Sequence, residues 1–325
     1  MRLPRHSAVI ALALAALPVC AHGEEYPARP VTLVAPYAPG GGADLIARLL
    51  AQKLADRFGQ SFPVENRLGA GGVIAASSVA KAAPDGYTLF TGTSTQLAIQ
   101  FTLHKKLPYD PATDFAPIAL VASVPFVLLV NPSLPVHSLK ELIDYAKARP
   151  GELTFGSSGV GGPPHLYTEL LKTMTGMQLT HIPYKGTAQA INDVVAGHVP
   201  IIFSDIAPAV QLIKERRLRA LGISSSTRFS NLPDIPPIAE AGVPGFDAVA
   251  WLMVVGPARM PNPIVGKLHD ALNQIVAAPE VQQRLLDLGN IPLRSPPPDA
   301  LTAYIKSEVA RWGEVVRQAG LAGSE

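Results

Sequence analysis

The amino-acid sequence predicts an α/β protein made of two βα lobes joined by two extended crossover strands. Two observations predict it. Six times a short apolar run leads into a small-residue loop and then a helix-like stretch, the alternation that builds sheets covered by helices. Two longer apolar runs, 116–130 and 246–255, are extended and sit where the chain would cross between halves and return. About three hundred residues beyond the N-terminal leader are enough for two separate cores, and 48% hydrophobic with 16% charged residues indicates an ordered globular chain.

The leader comes first. Arg2 and Arg5 precede an apolar stretch from Ala8 to Val19, with Ala21 and Gly23 offering a cleavage site, so 1–23 reads as a secretory signal peptide too short to span a bilayer. The single cysteine, Cys20, leaves with it, and the exported chain is expected to hold no disulfide. A lipid-anchored Cys20 is the weaker reading, because Pro18-Val19 is a poor approach to a modified cysteine. The net charge of +2 includes Arg2 and Arg5, and their removal leaves 25 basic against 25 acidic residues, which argues against a nucleic-acid partner.

Along the mature chain the strand Val31 to Ala35 enters the loop Pro39-Gly40-Gly41-Gly42-Ala43-Asp44. A helix from Leu45 to Phe58 follows, with Ile46, Leu50, Leu54 and Phe58 as its buried stripe and Gly59 as its stop. A strand from Phe62 to Glu65, the loop 67–72 and a small-residue helix follow. Pro84-Asp85-Gly86 then turns into the strand Tyr87 to Phe90 and the loop Gly92 to Thr95. This order predicts a parallel sheet. The extended run interrupted by Pro125 opens the second half, where Ser138-Leu139-Lys140-Glu141 has the spacing of a capping box. Three further strand-loop-helix units follow, with loops at 156–162, 184–187 and 204–207, and the strand Leu218 to Ile223 completes the set. The run 246–255 crosses back to two helical segments, Val265 to Leu288 and Asp299 to Gln318. The resulting division is 24–125 for the first part of lobe one, 126–248 for lobe two and 249–325 for the return.

These loops suit an anion. Backbone N–H groups at a helix start are unpaired and carry the positive end of the helix dipole, so loops gathered from several strands hold a small anion without a charged side chain. Enzyme readings fail on spacing. Gly156-Ser157-Ser158-Gly159 is not G-x-S-x-G, and no acid and histidine pair stands out beside it. Gly40-x-Gly42 meets Leu45 and Gly69-x-Gly71 meets Ile74 where a dinucleotide fingerprint needs a third glycine, and no P-loop lysine is present. An exported enzyme stays as the remote alternative.

Several stretches carry a resemblance: Tyr26 to Val31, Pro39 to Asp44, Val64 to Arg67 with Gly69 to Gly72, Pro84 to Leu89, Gly156 to Gly159, His181 to Gly186, and Ala239 to Phe246. In this order they closely resemble the Bug (TctC-like) family, the extracytoplasmic solute receptors of tripartite tricarboxylate transporters, from about Tyr26 to the C-terminus. The resemblance implies a type II periplasmic-binding-protein fold. Its two lobes close on a carboxylate-bearing solute held by loop backbone and bridging water, with lobe one gripping one carboxylate and lobe two setting selectivity. It implies a monomeric periplasmic protein that meets the membrane subunits of such a transporter, or docks on a sensor kinase. Two departures bear on the solute. Ala43 stands where the family usually has Thr or Ser, and Gly162-Pro163-Pro164 replaces a commoner Ser-containing turn.

The loops and the resemblance together nominate Tyr37, Pro39, Gly40, Gly41, Ala43, Gly71, Thr93 and Ser94 from lobe one, and Ser157, Ser158, Tyr184, Thr187 and Asp205 from lobe two. Each has a plainer alternative. Gly40 to Gly42 also read as only a tight strand-to-helix turn, whereas if Gly41 faces the solute a Cβ there would both fill carboxylate space and resist the backbone of a triple-glycine turn. The Ser and Thr hydroxyls suit ordinary turns, Tyr184 and Lys185 either face the cleft or cover the hinge, and Asp205 either meets an amino or hydroxyl group or caps a helix. Asp44 reads as a helix-start acid, since a carboxylate aimed into an anion site would repel its solute. His165, His181 and His198 are too dispersed in sequence for a metal site, Trp251 reads as hinge core, and no cofactor is expected.

Overall fold

The structure is a computed structural model that describes residues 25–325, so the signal peptide read at 1–23 lies outside the described residues. The first sheet begins with β1 (Thr32–Ala35), followed by α1 (Gly42–Phe58), β2 (Val64–Asn66), α2 (Val73–Ala80), β3 (Thr88–Thr93), the short α3 (Gln100–Leu103) and β4 (Phe115–Val124). The second sheet takes β5 (Phe126–Val130), α4 (Leu139–Lys147), β6 (Thr154–Ser157), α5 (Pro163–Thr175), β7 (Thr180–Pro183), α6 (Thr187–Ala196), β8 (Ile201–Asp205), α7 (Ile206–Lys214) and β9 (Arg219–Ile223). The chain then returns to the first sheet through β10 (Ala250–Pro257), α8 (Asn262–Ala277), α9 (Pro279–Asp287), β11 (Ile291–Pro292) and α10 (Pro298–Gln318). The strand orders are β11-β4-β10-β3-β1-β2 and β7-β6-β8-β5-β9.

Both predicted crossings are present. Pro125 alone separates β4 in one sheet from β5 in the other, because proline cannot donate to a ladder and ends the first pairing there. The two crossings are tied to each other at Ser224. Its Oγ accepts from Phe126 N at 2.8 Å, its N–H donates to Phe126 O at 2.8 Å, and its carbonyl accepts from Ala248 N at 2.8 Å. The sheets are mixed, not parallel as expected. Pairings β1–β2, β1–β3, β6–β7 and β6–β8 are parallel, whereas β10 and β5 run antiparallel to every neighbour because each enters its sheet from the other lobe.

Element ends differ for identifiable reasons. The first helix begins at Gly42, three residues before the expected Leu45, so the glycine loop is itself the helix start. Gly92 and Thr93 belong to β3 because β10 supplies partners, with Met253 opposite Gly92 and Leu252 opposite Thr93. Asp205 likewise stays in β8 opposite Phe126, and Ser157 in β6 opposite Pro183. The single helix expected from Val265 to Leu288 is broken at Ala278 (ψ 130°), as the residue before Pro279 avoids helical geometry. The stripe on α1 packs as read, with Ile46, Leu50 and Leu54 buried against the first sheet and α8, each contributing about 2 kcal/mol. Gly59 (φ 66°) ends α1 in left-handed geometry. Ser138 caps α4, its Oγ accepting from Glu141 N at 3.2 Å.

Behind the cleft one core runs through both lobes. Phe90 of the first sheet, Phe155 and Phe203 of the second, and Trp251 and Trp312 belong to the same cluster. Trp251, on the returning strand, is core as expected. Its indole Nε1 and that of Trp312 on α10 donate to the same oxygen of buried Glu308, at 2.8 and 3.0 Å, and Trp312 stacks on Tyr167 of α5 at 5.4 Å. Glu308→Ala leaves two buried donors without an acceptor and should lower unfolding stability by about 3 kcal/mol. Glu308→Gln, which keeps the accepting oxygen, should lose less than half of that. Equilibrium urea unfolding of the two variants measures both, and equal losses would show that the carboxylate does not serve as the shared acceptor.

Candidate functional site

A cleft of about 780 Å³ separates the two sheets. Helices α1, α6 and α7 begin in it, through Gly41 to Ala43, Gly186 to Ala188, and Asp205 to Ala207. None of the three is capped by its N-cap side chain. A fourth helix, α5, also begins there, but Pro163 and Pro164 take its first two positions and contribute no N–H. The walls between these starts are apolar, formed by Ile46, Val124, Phe126, Ile191 and Leu252.

Asp44 holds the glycine loop. Its buried carboxylate accepts from Gly40 N at 2.8 Å, Arg48 Nε at 2.9 Å and Asn66 Nδ2 at 2.7 Å, and Asn66 also donates to Tyr37 O at 2.8 Å. It is a first-turn acid turned away from the cleft, as its charge required. Gly40 adopts φ +86°, a conformation glycine takes at no cost, and its N–H is spent on Asp44. Gly41 corrects the expectation that a Cβ there would strain the backbone. It has φ −73° and ψ 161°, open to any residue, and a Cβ would meet only Ala38 O at 3.5 Å. The N–H groups of Gly42 and Ala43 have no acceptor among the described residues.

Gln96 organises the rest of the first lobe's wall and carries no obvious signal of its own. Fully buried, it accepts from Thr93 N and Thr93 Oγ1 at 3.0 and 2.9 Å and donates to Tyr37 Oη and Gly71 O at 3.0 and 2.7 Å. All of its amide capacity is used. Tyr37 and Thr93 lie 3.3 Å apart at their oxygens and both line the cleft. Gly71 faces Gln96 through its carbonyl instead of lining the cleft. Thr93 and Gln96 pair as T-x-x-Q, the Gln side chain reaching back to the Thr N–H as in a capping box, but that spacing alone does not single out a buried amide.

In the second lobe Ser158, Thr187 and Asp205 line the cleft, and so does exposed Lys185. Ser157 is buried beneath. Its Oγ donates to Gly159 O at 2.9 Å, accepts from Gly159 N at 3.1 Å and lies 2.6 Å from His181 Nε2. His181 stacks on His165 at 3.7 Å, so two histidines 16 positions apart in sequence are partners in space. Burial, with His165 beside it, pushes the His181 pKa down to about 4. Tyr184 Oη donates to Asp193 at 2.8 Å. Pro39, Gly71, Ser94, Ser157 and Tyr184 therefore stand behind or beside the cleft, while Tyr37, Gly40, Gly41, Ala43, Thr93, Ser158, Thr187 and Asp205 meet in it. Among the described residues no three His, Cys, Asp or Glu side chains converge to hold a metal ion.

Burial raises the Asp44 carboxyl pKa, but bonds from Arg48, Asn66 and Gly40 outweigh it and hold the group below its ordinary value. A lowered folded-state pKa stabilises above the unfolded value, and that contribution disappears as pH falls through the folded value. Asp44→Asn should therefore cost about 2 kcal/mol near pH 7, and the difference from the parent should shrink steadily below about pH 4. Denaturation of both proteins across that range measures it, and a constant difference down to about pH 2 would contradict the ion-paired loop.

Comparison with known proteins agrees with this geometry. The family model described as the tripartite tricarboxylate transporter family receptor matches residues 46–321. BugT of Bordetella pertussis is 38% identical over 323 residues, covering 98% of this chain and 99% of its own. Among solved structures, R. palustris Rpa4515 with adipate is 39% identical with a TM-score of 0.82, over 92% of this chain and 99% of that one. MatC from Rhodopseudomonas palustris with bound malate is 36% identical with a TM-score of 0.77, over 90% of this chain and 100% of that one. Receptors of this family are extracytoplasmic solute-binding proteins, not enzymes, and no helix among the described residues is long and apolar enough to cross a membrane. The chain belongs to the tripartite tricarboxylate transporter receptor family, the Bug family that its loop motifs resemble.

Proposed function

We propose that this protein is a monomeric periplasmic receptor that captures one small carboxylate by closing its two lobes and presents it to the membrane subunits of a tripartite tricarboxylate transporter. The observation that carries the reading is the convergence of three helix starts, from both lobes, on one cleft with apolar side chains between them. Free N–H groups at such starts attract a carboxylate through short hydrogen bonds and the helix dipole, and apolar walls accept a short carbon chain. The division at 126 and 249 places the N-terminal and C-terminal parts in one lobe, and Pro125 with the Ser224 bonds gives the two crossings a common pivot. The signal-peptide pattern at 1–23 supports export, and the adipate and malate carried by the two relatives support the ligand class.

Thermal-shift screening against aliphatic and aromatic carboxylates and neutral sugars tests the ligand class. A carboxylate at a hundred times its dissociation constant should stabilise the protein by roughly 2.7 kcal/mol, and a response to sugars alone would refute the reading. Gly41→Val should weaken carboxylate binding by more than about a hundredfold while leaving the melting temperature nearly unchanged, because Gly41 sits in ordinary backbone geometry with an open Cβ direction. Normal affinity in that variant would place the carboxylate elsewhere. Because Lys185 is exposed at the rim, Lys185→Ala should change affinity less than about threefold, and a larger loss would make ion pairing, not backbone, the principal hold.

A further inference from the structure

Asp205 ends β8 opposite Phe126, next to the pivot, and lines the cleft in company with Thr187. Within the fold its carboxylate meets the Thr187 hydroxyl and its own backbone and, among the described residues, forms no ion pair. It stands at the N-cap of α7 but makes no side-chain cap bond. This removes the helix-capping alternative and leaves a carboxylate facing solute space. Across the cleft the N–H groups of Gly42 and Ala43 are free, and the apolar side chains Ile46, Val124 and Leu252 lie among the other walls.

We infer that Asp205 selects solutes bearing a hydrogen-bond donor, an ammonium or hydroxyl group, at the end remote from the carboxylate, and selects against a second carboxylate there. The inference rests on the carboxylate reading above. Two like charges brought together in a partly buried site repel, whereas a donor turns the same carboxylate into a charge-assisted acceptor. Burial raises the Asp205 pKa, with the Thr187 hydroxyl opposing, so the ion gains by acquiring a donor. Among the described residues Lys185 is the one cation lining the cleft, and its exposure screens what it offers a second carboxylate.

Calorimetric titration of the purified protein with hexanoate, 6-hydroxyhexanoate, 6-aminohexanoate and adipate, and with the matching four-carbon series ending in succinate, tests this. In at least one series the amino or hydroxy acid should bind about tenfold or more tightly than the diacid of equal length. Asp205→Asn should bring that ratio to within about threefold while the unsubstituted acid binds as before. Tighter binding of the diacid to the parent protein, or an unchanged ratio in Asp205→Asn, would overturn the inference and leave the carboxylate reading standing. Binding of no acid from either series would overturn both. The ranking on the parent protein does not depend on how the variant folds.

Discussion

The first N–H groups of an α-helix have no partner within the helix, and this constraint shapes the molecule. Away from the cleft it is met in the usual way, as at α4, where Ser138 accepts from Glu141 N and Glu141 in turn accepts from His137 N. At α1, α6 and α7 it is left unmet by the N-cap side chains, and all three starts are brought to one cavity. Unmet backbone donors are costly when buried dry and useful when a ligand or water completes them. Around α1 the surrounding residues hold the start in place without filling it. Asp44 fixes Gly40 from behind, and Gln96 fixes Tyr37 and Thr93, so the loop is rigid where it meets the protein and open where it meets the cleft.

Opening and closing around such a cavity requires two lobes that stay connected. The connection is made at two levels. Along the chain, Pro125 and Ser224 bring both crossings together through three hydrogen bonds of 2.8 Å, two between backbone groups and one accepted by the Ser224 Oγ. In the core, α10 reaches across the back, where Glu308 joins the indoles of Trp251 and Trp312, and Trp312 stacks on Tyr167 of the second lobe. Arg311, one residue before Trp312, donates to the carbonyl of Asp247 on the segment leading into the returning strand. The C-terminal helix thus braces the pivot, which explains why a chain that has already built two sheets continues for another helix of 21 residues.

The candidate site was legible where its chemistry lies in the backbone. Glycines and prolines write backbone geometry directly into sequence, so the loops at 39–44, 156–162 and 184–187 could be found from residue types. Asp44 was also legible, because a carboxylate at an anion site is tolerable only if it faces away. Gln96 was not, since a buried amide acts through partners at Tyr37 and Gly71, 59 and 25 positions away. Ser157 looked like a cleft residue because serine in a small-residue loop ordinarily is one. It proves to be buried because β6 continues two residues further than its apolar run, alongside β7. The stacked pair His165 and His181 escaped for the same reason, since one sits on a helix and the other on the neighbouring strand.

By itself the sequence determined the alternation of strands and helices, the two crossings, the apolar stripes and the places of the main loops, all of which follow from local periodicity and backbone preference. Tertiary structure decided which strands run antiparallel, where β3, β6 and β8 end, which loop residues reach the cleft and which stand behind it. These depend on hydrogen-bonding partners supplied from distant parts of the chain. A strand ends where its neighbour stops offering N–H and C=O groups, and Gly92 and Thr93 remained strand only because β10 returned 160 residues later to pair with them. The same dependence on distant partners holds Asp205, which the sequence left open between a helix cap and a solute contact, at the end of β8 opposite Phe126, where it lines the cleft without a side-chain cap bond.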